Sequence, residues 1–314
     1  MATSGTYTFS MTRDELLKTS LQMINIIDVM DTPTSDQIAV ADRLLNMMLK
    51  FWSHQGVRLW RRRLGYLFTA YNQSSYSLGT SGDHATKTYV TTDLSVAKAA
   101  AATSLSVDST TGMTVGDYIG IELDDGTRQW TTIATIPTST TLTISAGLTS
   151  AAAIDNTVIT YTTKLPRPLR IIRGTTLDLK SDNTETTMQS IGFDEYFNMP
   201  QKSTGDVPNN FYYDKSTILG TLYLFPTPKD VSKIVTFTYL EQIQDTGDST
   251  DQIDIPDEWL LPVAWNLAVQ LAYFYGDFPA LDKVEPMARE LFETVKWYDT
   301  DDEALKLGSK DYAY

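Results

Sequence analysis

Cysteine is absent from this chain of 314 residues, and histidine occurs only twice. The absence of cysteine excludes a disulfide framework, a cysteine-ligated zinc site and a cysteine nucleophile. Neither His54 nor His84 lies in a recognisable catalytic triad motif, and the chain has no P-loop and no dinucleotide-binding glycine motif. We therefore predict no enzymatic activity and no cofactor.

Long apolar runs are also lacking. Residues 1–10 are polar and contain no apolar core of a signal peptide, so none is expected. The longest apolar stretch, residues 259–275, carries Asn266 and Gln270 and therefore indicates a buried helix. We expect no association with a membrane.

Positive charge is scarce. The chain has 25 Lys and Arg against 39 Asp and Glu, which gives a formal net charge of -14. Such an acidic surface repels phosphate and disfavours nucleic-acid binding over the whole surface. It suits a conduit through which DNA passes without adhering.

Residues 1–89 carry the patterns of paired helices. Thr12 and Glu15 form one predicted capping box, and Thr34 and Gln37 form a second. Apolar residues follow each box at three- and four-residue steps, which is typical of amphipathic helices. We predict two antiparallel helices here, as the N-terminal part of a helical body.

Residues 90–162 are rich in Thr, Ser and Ala and contain short β-type runs, at 118–123, 129–136, 141–145 and 157–161. Asp124-Asp125-Gly126 lies between two of them and predicts a hairpin turn, because glycine supplies the positive φ that the turn needs. We predict a small inserted antiparallel β domain, either a barrel or a sandwich.

Residues 163–298 predict the C-terminal part of the body. The runs 221–225 and 234–239 alternate and are separated by a proline-containing loop, which predicts a β-hairpin. Two helices follow, and residues 299–314 form a polar C-terminal arm. The predicted fold class is α+β: a helical body with β-hairpin elements and the inserted β domain.

Carboxylates recur in two places. Asp245, Asp248, Asp251 and Asp254 lie three residues apart, but the spacing of an EF-hand is absent, so a solvated loop is favoured over a calcium site. Glu122 and Asp124 share one face of a predicted strand, as hydrolase dyads do, but so do many surface pairs. We assign no catalytic residue and no metal ligand.

Two basic clusters stand out in this acidic chain, and their arginines suit interface ion pairs and phosphate. We hypothesise that they bridge to acidic faces of neighbouring subunits. Contact with the phosphates of DNA and a plain solvated surface are the alternatives. The residues are Arg58, Arg61, Arg62, Arg63, Arg167, Arg170 and Arg173.

Four stretches occur in a characteristic order. The predicted helical pair ends in LLNMMLKFWSHQG at residues 44–56, and the run GMTVGDYIGI stands at 112–121. FYYD at 211–214 is followed by GTLYLFP at 220–226, and PDEW at 256–259 opens a C-terminal helix. Together these stretches resemble the head-to-tail adaptor family of short-tailed bacteriophages, also called tail accessory factors. The run at 112–121 is similar to β insertions of several adaptors, and residues 211–226 resemble the family's strand pair.

This resemblance implies a structural function. Such subunits form a homo-oligomeric, typically dodecameric, ring beneath the portal protein, extend the DNA channel and seat the tail nozzle or tube, with tail fibres as further partners. Double-stranded DNA would pass without specific binding. The chain would be assembled in the host cytoplasm and remain in the virion neck.

The resemblance also implies that the C-terminal arm reaches the portal. Its expected portal contacts are Leu305, Leu307, Tyr312 and Tyr314. Packing of these side chains on their own subunit is the alternative. Two other functions stay open: a tail module whose Thr-rich β domain binds host-surface glycan, and a cell-wall hydrolase carried by the virion.

Overall fold

The computed structural model describes residues 9–53, 61–180, 184–216 and 218–298. The chain divides into two compact units. Met1–Arg61 and Gln242–Tyr314 form the first, which we call the helical unit, and Arg62–Glu241 forms the second, the β unit. The predicted domain boundaries at residues 90 and 162 stay predictions.

Four helices build the described part of the helical unit. They are α1 (Arg13–Met23), α2 (Ser35–Trp52), α4 (Leu260–Tyr275) and α5 (Phe278–Tyr298), and a short α3 (Phe193–Phe197) lies in the β unit. Both predicted capping boxes are confirmed, because Thr12 and Thr34 accept backbone N–H groups at N3 of α1 and α2. Gly276, with φ +72°, ends α4.

The core of the helical unit is aliphatic, and an aromatic cluster packs against it. Leu17, Leu45 and Leu267 are fully buried and bring α1, α2 and α4 together. Trp52 of α2 packs on Trp259 and Phe292, with ring centroids 5.8 and 4.7 Å away. Helices from the two ends of the chain therefore share one core, which makes Met1–Arg61 depend on Gln242–Tyr314 for its stability.

The larger sheet of the β unit has eight strands, in the order β2-β14-β13-β11-β10-β16-β1-β3. They are β1 (Arg62–Phe68), β2 (Ser75–Leu78), β3 (Ala85–Thr86), β10 (Arg170–Asp178), β11 (Glu185–Ser190), β13 (Asn210–Asp214), β14 (Gly220–Phe225) and β16 (Lys233–Leu240). A two-stranded ladder joins β12 (Gly205–Asp206) to β15 (Thr227–Pro228).

The smaller sheet has six strands, in the order β4-β9-β6-β7-β8-β5. They are β4 (Val90–Asp93), β5 (Ser104–Ser106), β6 (Tyr118–Glu122), β7 (Arg128–Thr138), β8 (Thr141–Ile144) and β9 (Thr157–Tyr161). The predicted turn at Asp124-Asp125-Gly126 is confirmed, since it joins β6 to β7 and Gly126 has φ +80°.

The edges of the smaller sheet meet. Leu94, just after β4, forms an antiparallel bridge with Val107, just after β5. Ser95 N donates to Ser106 O at 3.0 Å, and Asp108 N donates to Asp93 O at 3.1 Å. These bonds close the sheet into a small barrel filled by aliphatic side chains. The sequence left a barrel and a sandwich open for these residues, and the structure shows a barrel.

The prediction of a helical body is wrong. The structure is β-rich, with 32% strand against 27% helix. The central strand β16 pairs with β1 and β10, which lie far from it in sequence. Local alternation predicted the strands β14 and β16, but it carries no information on such distant partners, so the larger sheet was not predicted as a whole.

The hairpin predicted from runs 221–225 and 234–239 is also wrong. β14 pairs with β13 and β2, whereas β16 pairs with β1 and β10. Both strands are interior to the sheet, and each has its two edges occupied by partners distant in sequence. The hairpin was predicted because the two runs are close in sequence. In the structure, strands distant in sequence occupy the hydrogen-bonding edges of both β14 and β16.

Candidate functional site

One face of the larger sheet gathers arginines from both predicted basic clusters. Arg62 of β1 and Arg170 of β10 both lie opposite Leu240 of β16. Arg173 lies opposite Thr238, in the next row on the same face. Directly opposed residues have Cβ atoms about 5 Å apart. We call this end of the sheet, with Arg62, Arg170 and Arg173, the arginine face.

A β-bulge in β10 creates this arrangement. The register between β10 and β16 shifts between Ile171 and Arg173, and Ile172 is left over, 38% exposed. Residues three apart on a regular strand point to opposite faces. The extra residue at the bulge puts Arg170 and Arg173 on one face instead.

A pocket of about 360 Å³ adjoins the arginine face. Arg173 and Glu185 line it together with Tyr66 and Tyr89, whose rings meet edge to face at 4.8 Å. Burial, and then the nearby Glu185 carboxylate, raise the pKa of Tyr66. The pocket therefore presents charges of both signs beside aromatic rings.

The arginines of the two basic clusters differ in their ion pairs and hydrogen bonds. Arg170 and Arg173 are exposed and form no ion pair with a residue that the structure describes. Arg173 Nε donates to Thr238 Oγ1 at a long 3.4 Å. Arg63 instead pairs with Glu241 at 3.3 Å, and that carboxylate also binds Lys87. Two charges thus remain available at the surface.

The other predicted site residues are placed as follows. Arg61 is 2% exposed within the helical unit, and Arg167 is half-buried in the β unit. Arg58 and His54 lie outside the described residues. The predicted portal contacts also lie outside them, namely Leu305, Leu307, Tyr312 and Tyr314.

The candidate carboxylates are engaged in local structure. Glu122 Oε1 binds Lys180 Nζ at 2.5 Å, and Asp124 Oδ1 accepts from Ala153 N at 2.8 Å. Asp251 Oδ2 accepts from two backbone N–H groups, which lower its pKa. Within the described ranges, no group of three or more His, Asp or Glu side chains is arranged to hold a metal ion.

A histidine-aromatic cluster joins the barrel to the larger sheet, and sequence analysis missed it. His84 precedes β3, and its ring stacks on Trp130 of β7 at 4.0 Å. Burial, and then Lys164 and Arg128, lower the pKa of His84 to about 4. The Ser- and Gly-rich sequence around His84 did not indicate the cluster, because the aromatic partners Trp130 and Tyr161 come from distant strands of the barrel.

A second missed feature is an aromatic patch on α3. Phe193 and Phe197 are exposed and their rings lie 4.5 Å apart. They pack beside Tyr212 and Tyr223, which form a cross-strand pair of β13 and β14 with centroids 5.8 Å apart. Adjacent aromatic residues at 193–197 were the only sequence indication.

The sequence model of one family, the SU10 adaptor protein, matches residues 92–301, which is more than half of the chain. The chain belongs to the SU10 adaptor protein family. It is therefore a bacteriophage adaptor-type structural protein and a component of the virion. No curated protein matches the chain.

The match to the SU10 adaptor family takes in most of the barrel, β10 with two of the three arginines of the arginine face, and the helices α3, α4 and α5. Helices α1 and α2 precede it. Among the described residues, none of the helices is both long enough and apolar enough to traverse a lipid bilayer.

Proposed function

We propose that this SU10 adaptor family member is the head-to-tail adaptor of a short-tailed bacteriophage. Copies of the chain form a dodecameric ring beneath the portal protein, extend the DNA channel and seat the tail nozzle or tube, with tail fibres alongside. The observation that carries the proposal is the family match over residues 92–301. The motif resemblance in residues 44–56, which precede the matched range, supports it independently.

The surface of the helical unit supports a docking function. A groove of about 460 Å³ runs beside α2 and is lined by Met47 and Phe51. These two apolar side chains are 63% and 61% exposed. Exposed apolar surface of this kind marks interaction sites. Further exposed apolar side chains of the same unit are Val29, Met30, Leu261, Tyr273, Phe274 and Phe278.

The proposed mechanism is positional and requires no reaction. Many individually weak contacts around a ring add up, because each bound copy raises the effective concentration of the next contact. The net charge of -14 keeps DNA from adhering as it passes through the channel.

We further propose that the C-terminal arm, residues 299–314, contacts the portal. The arm combines acidic residues with the apolar side chains Leu305, Leu307, Tyr312 and Tyr314. Fully extended, its residues would span at most about 55 Å, which suffices to reach a neighbouring protein. Tyrosines in particular combine apolar area with a polar tip, as protein interfaces favour.

The test mixes purified portal rings with the full-length chain and images the products by electron microscopy. A truncation ending at Asp299 and a full-length chain with Leu305, Leu307, Tyr312 and Tyr314 replaced by Ser are compared with it. Rings formed by the unaltered chain alone support both the adaptor and its arm. Absence of rings with every chain, or release of peptidoglycan fragments by the purified protein, contradicts the adaptor function.

A further inference from the structure

We propose that the arginine face of one copy binds the acidic segment, residues 244–258, of the neighbouring copy. This inference rests on the proposed ring, and it names the surfaces that would join its subunits. Each copy carries both surfaces, so the contact is heterologous and repeats around a closed ring.

Two residues of the arginine face supply unpaired positive charge. Arg170 and Arg173 are exposed, lie in adjacent rows of one sheet face, and form no ion pair with a described residue. They stand on β10, an interior strand with β11 and β16 on its two sides. Pairing on both sides fixes the backbone positions from which the two arginine side chains extend, which reduces the entropy lost on binding.

The acidic segment supplies unpaired negative charge. Asp248, Asp254, Asp257 and Glu258 are exposed, and none of them pairs with a basic side chain among the residues that the structure describes. Asp245, by contrast, already binds Lys50 at 2.7 Å. The segment therefore carries four carboxylates that are free to meet arginines.

Hydrogen bonds anchor residues 246–251 of the acidic segment. Asp251 Oδ2 accepts from Gly247 N at 2.9 Å and from Asp248 N at 2.8 Å. Arg13 Nη1 of α1 donates to Gly247 O at 2.9 Å, and Thr246 Oγ1 donates to Asp42 at 3.0 Å. Asp248 therefore stands on an anchored stretch of backbone.

A second copy of the chain is the anionic partner that the assembly itself supplies. Arginine matches carboxylate and phosphate equally well by geometry, and Glu185, which lines the same pocket as Arg173, repels both. The chain as a whole carries a net charge of -14, so its own copies are the abundant acidic partner during assembly. Arginine and carboxylate also form two parallel hydrogen bonds, which fixes the orientation of the partner.

The first experiment uses charge reversal and mixing. One chain carries Arg170→Glu and Arg173→Glu, and a second carries Asp248→Lys and Glu258→Lys. Each alone should decorate portal rings at least tenfold less than the wild type, because like charges then face each other. An equimolar mixture should restore assembly, since alternating copies again oppose unlike charges at every contact.

The matched control carries Arg43→Glu and Lys215→Glu, exposed charges outside both surfaces, and should assemble as the wild type does. Thermal unfolding verifies that all variants fold. Normal assembly of the Arg170→Glu, Arg173→Glu chain overturns the inference, and so does a mixture that stays unassembled. Failure of the wild type itself counts against the proposed adaptor instead.

A second experiment exploits the absence of cysteine. Chains with Arg173→Cys and chains with Asp248→Cys are mixed and treated with a bis-maleimide long enough to span an arginine–carboxylate contact, because a direct disulfide would be too short. A crosslinked dimer of the two is expected. Lys215→Cys mixed with Asp248→Cys is the control and should give none. The inference is overturned if the crosslinked product does not exceed that of the control. It is also overturned if the Arg170→Glu, Arg173→Glu chain still forms rings but no longer binds duplex DNA, because the arginine face would then bind phosphate.

Discussion

The imidazole ring of His84 lies parallel to the indole ring of Trp130, with centroids 4.0 Å apart and an interplanar angle of 6°. Its Nδ1 lies 2.5 Å from the hydroxyl of Tyr161. The backbone carbonyl of His84 accepts from Phe68 N of the larger sheet, while Trp130 and Tyr161 belong to the barrel. His84 therefore links the two sheets of the β unit through its ring and its backbone.

This placement predicts that acid destabilises the β unit. Burial lowers the folded-state pKa of His84 to about 4, whereas the unfolded side chain titrates near its ordinary value of 6.5. Between these values the unfolded chain binds a proton that the folded chain does not, so stability falls as the pH drops from 6.5 to 4 and the loss stops below 4. We expect a loss of about 2 kcal/mol, discounted because the ring is partly solvated.

Urea unfolding at several pH values measures this loss. His84→Phe keeps a ring against Trp130 but does not titrate, so it serves as the control for carboxylates that titrate in the same range. The stability difference between the wild type and His84→Phe should change across pH 6.5 to 4. A constant difference would refute the role of His84.

Gly120→Ala should destabilise the barrel. A Cβ at Gly120 would lie 2.7 Å from the Trp130 ring, which itself stacks on His84. Overpacking of this kind costs about 1–3 kcal/mol. Gly205→Ala is the control, because its Cβ would meet Lys229 at an ordinary 3.5 Å. Equal thermal midpoints for the two variants would disprove the close approach of Trp130 to β6.

Neighbouring residues at the end of α2 should respond differently to truncation. Trp52 is buried between Trp259 and Phe292, so Trp52→Ala should cost about 3–5 kcal/mol. Phe51 is 61% exposed, so Phe51→Ala should change the free energy of unfolding by about 0.5 kcal/mol or less. Denaturant unfolding compares them, and a larger effect at Phe51 would contradict the packing of α2.

The end of α4 depends on a left-handed backbone. Gly276 has φ +72° and ψ 23°, and a Cβ there would meet nothing within 4 Å. Gly276→Ala should therefore destabilise the helical unit by about 1 kcal/mol through backbone strain alone. Gly276→Asn should lose less, because asparagine tolerates this conformation. Identical unfolding curves for wild type and Gly276→Ala would argue against a left-handed residue here.

The arginines of the candidate site could be predicted from the sequence, but their position on one shared face could not. Both arginine clusters stand out in the sequence of an acidic chain. The sequence predicts them as separate clusters, because Arg62 and Arg170 lie more than a hundred positions apart. Their shared partner Leu240 and the bulge at Ile172 place them on one face, and neither feature leaves a local pattern.

The sequence by itself determined the local structure of this protein. The capping boxes at Thr12 and Thr34, the Asp124-Asp125-Gly126 turn and the glycine that ends α4 all act through bonds within a few residues, so their patterns are visible in the chain. Only the tertiary structure decided that β14 and β16 do not pair and that the barrel closes between Leu94 and Val107. It also decided that Arg62, Arg170 and Arg173 lie on one face of the larger sheet. Those outcomes depend on competition among distant strands for the same hydrogen-bonding edges, which no local window of sequence contains.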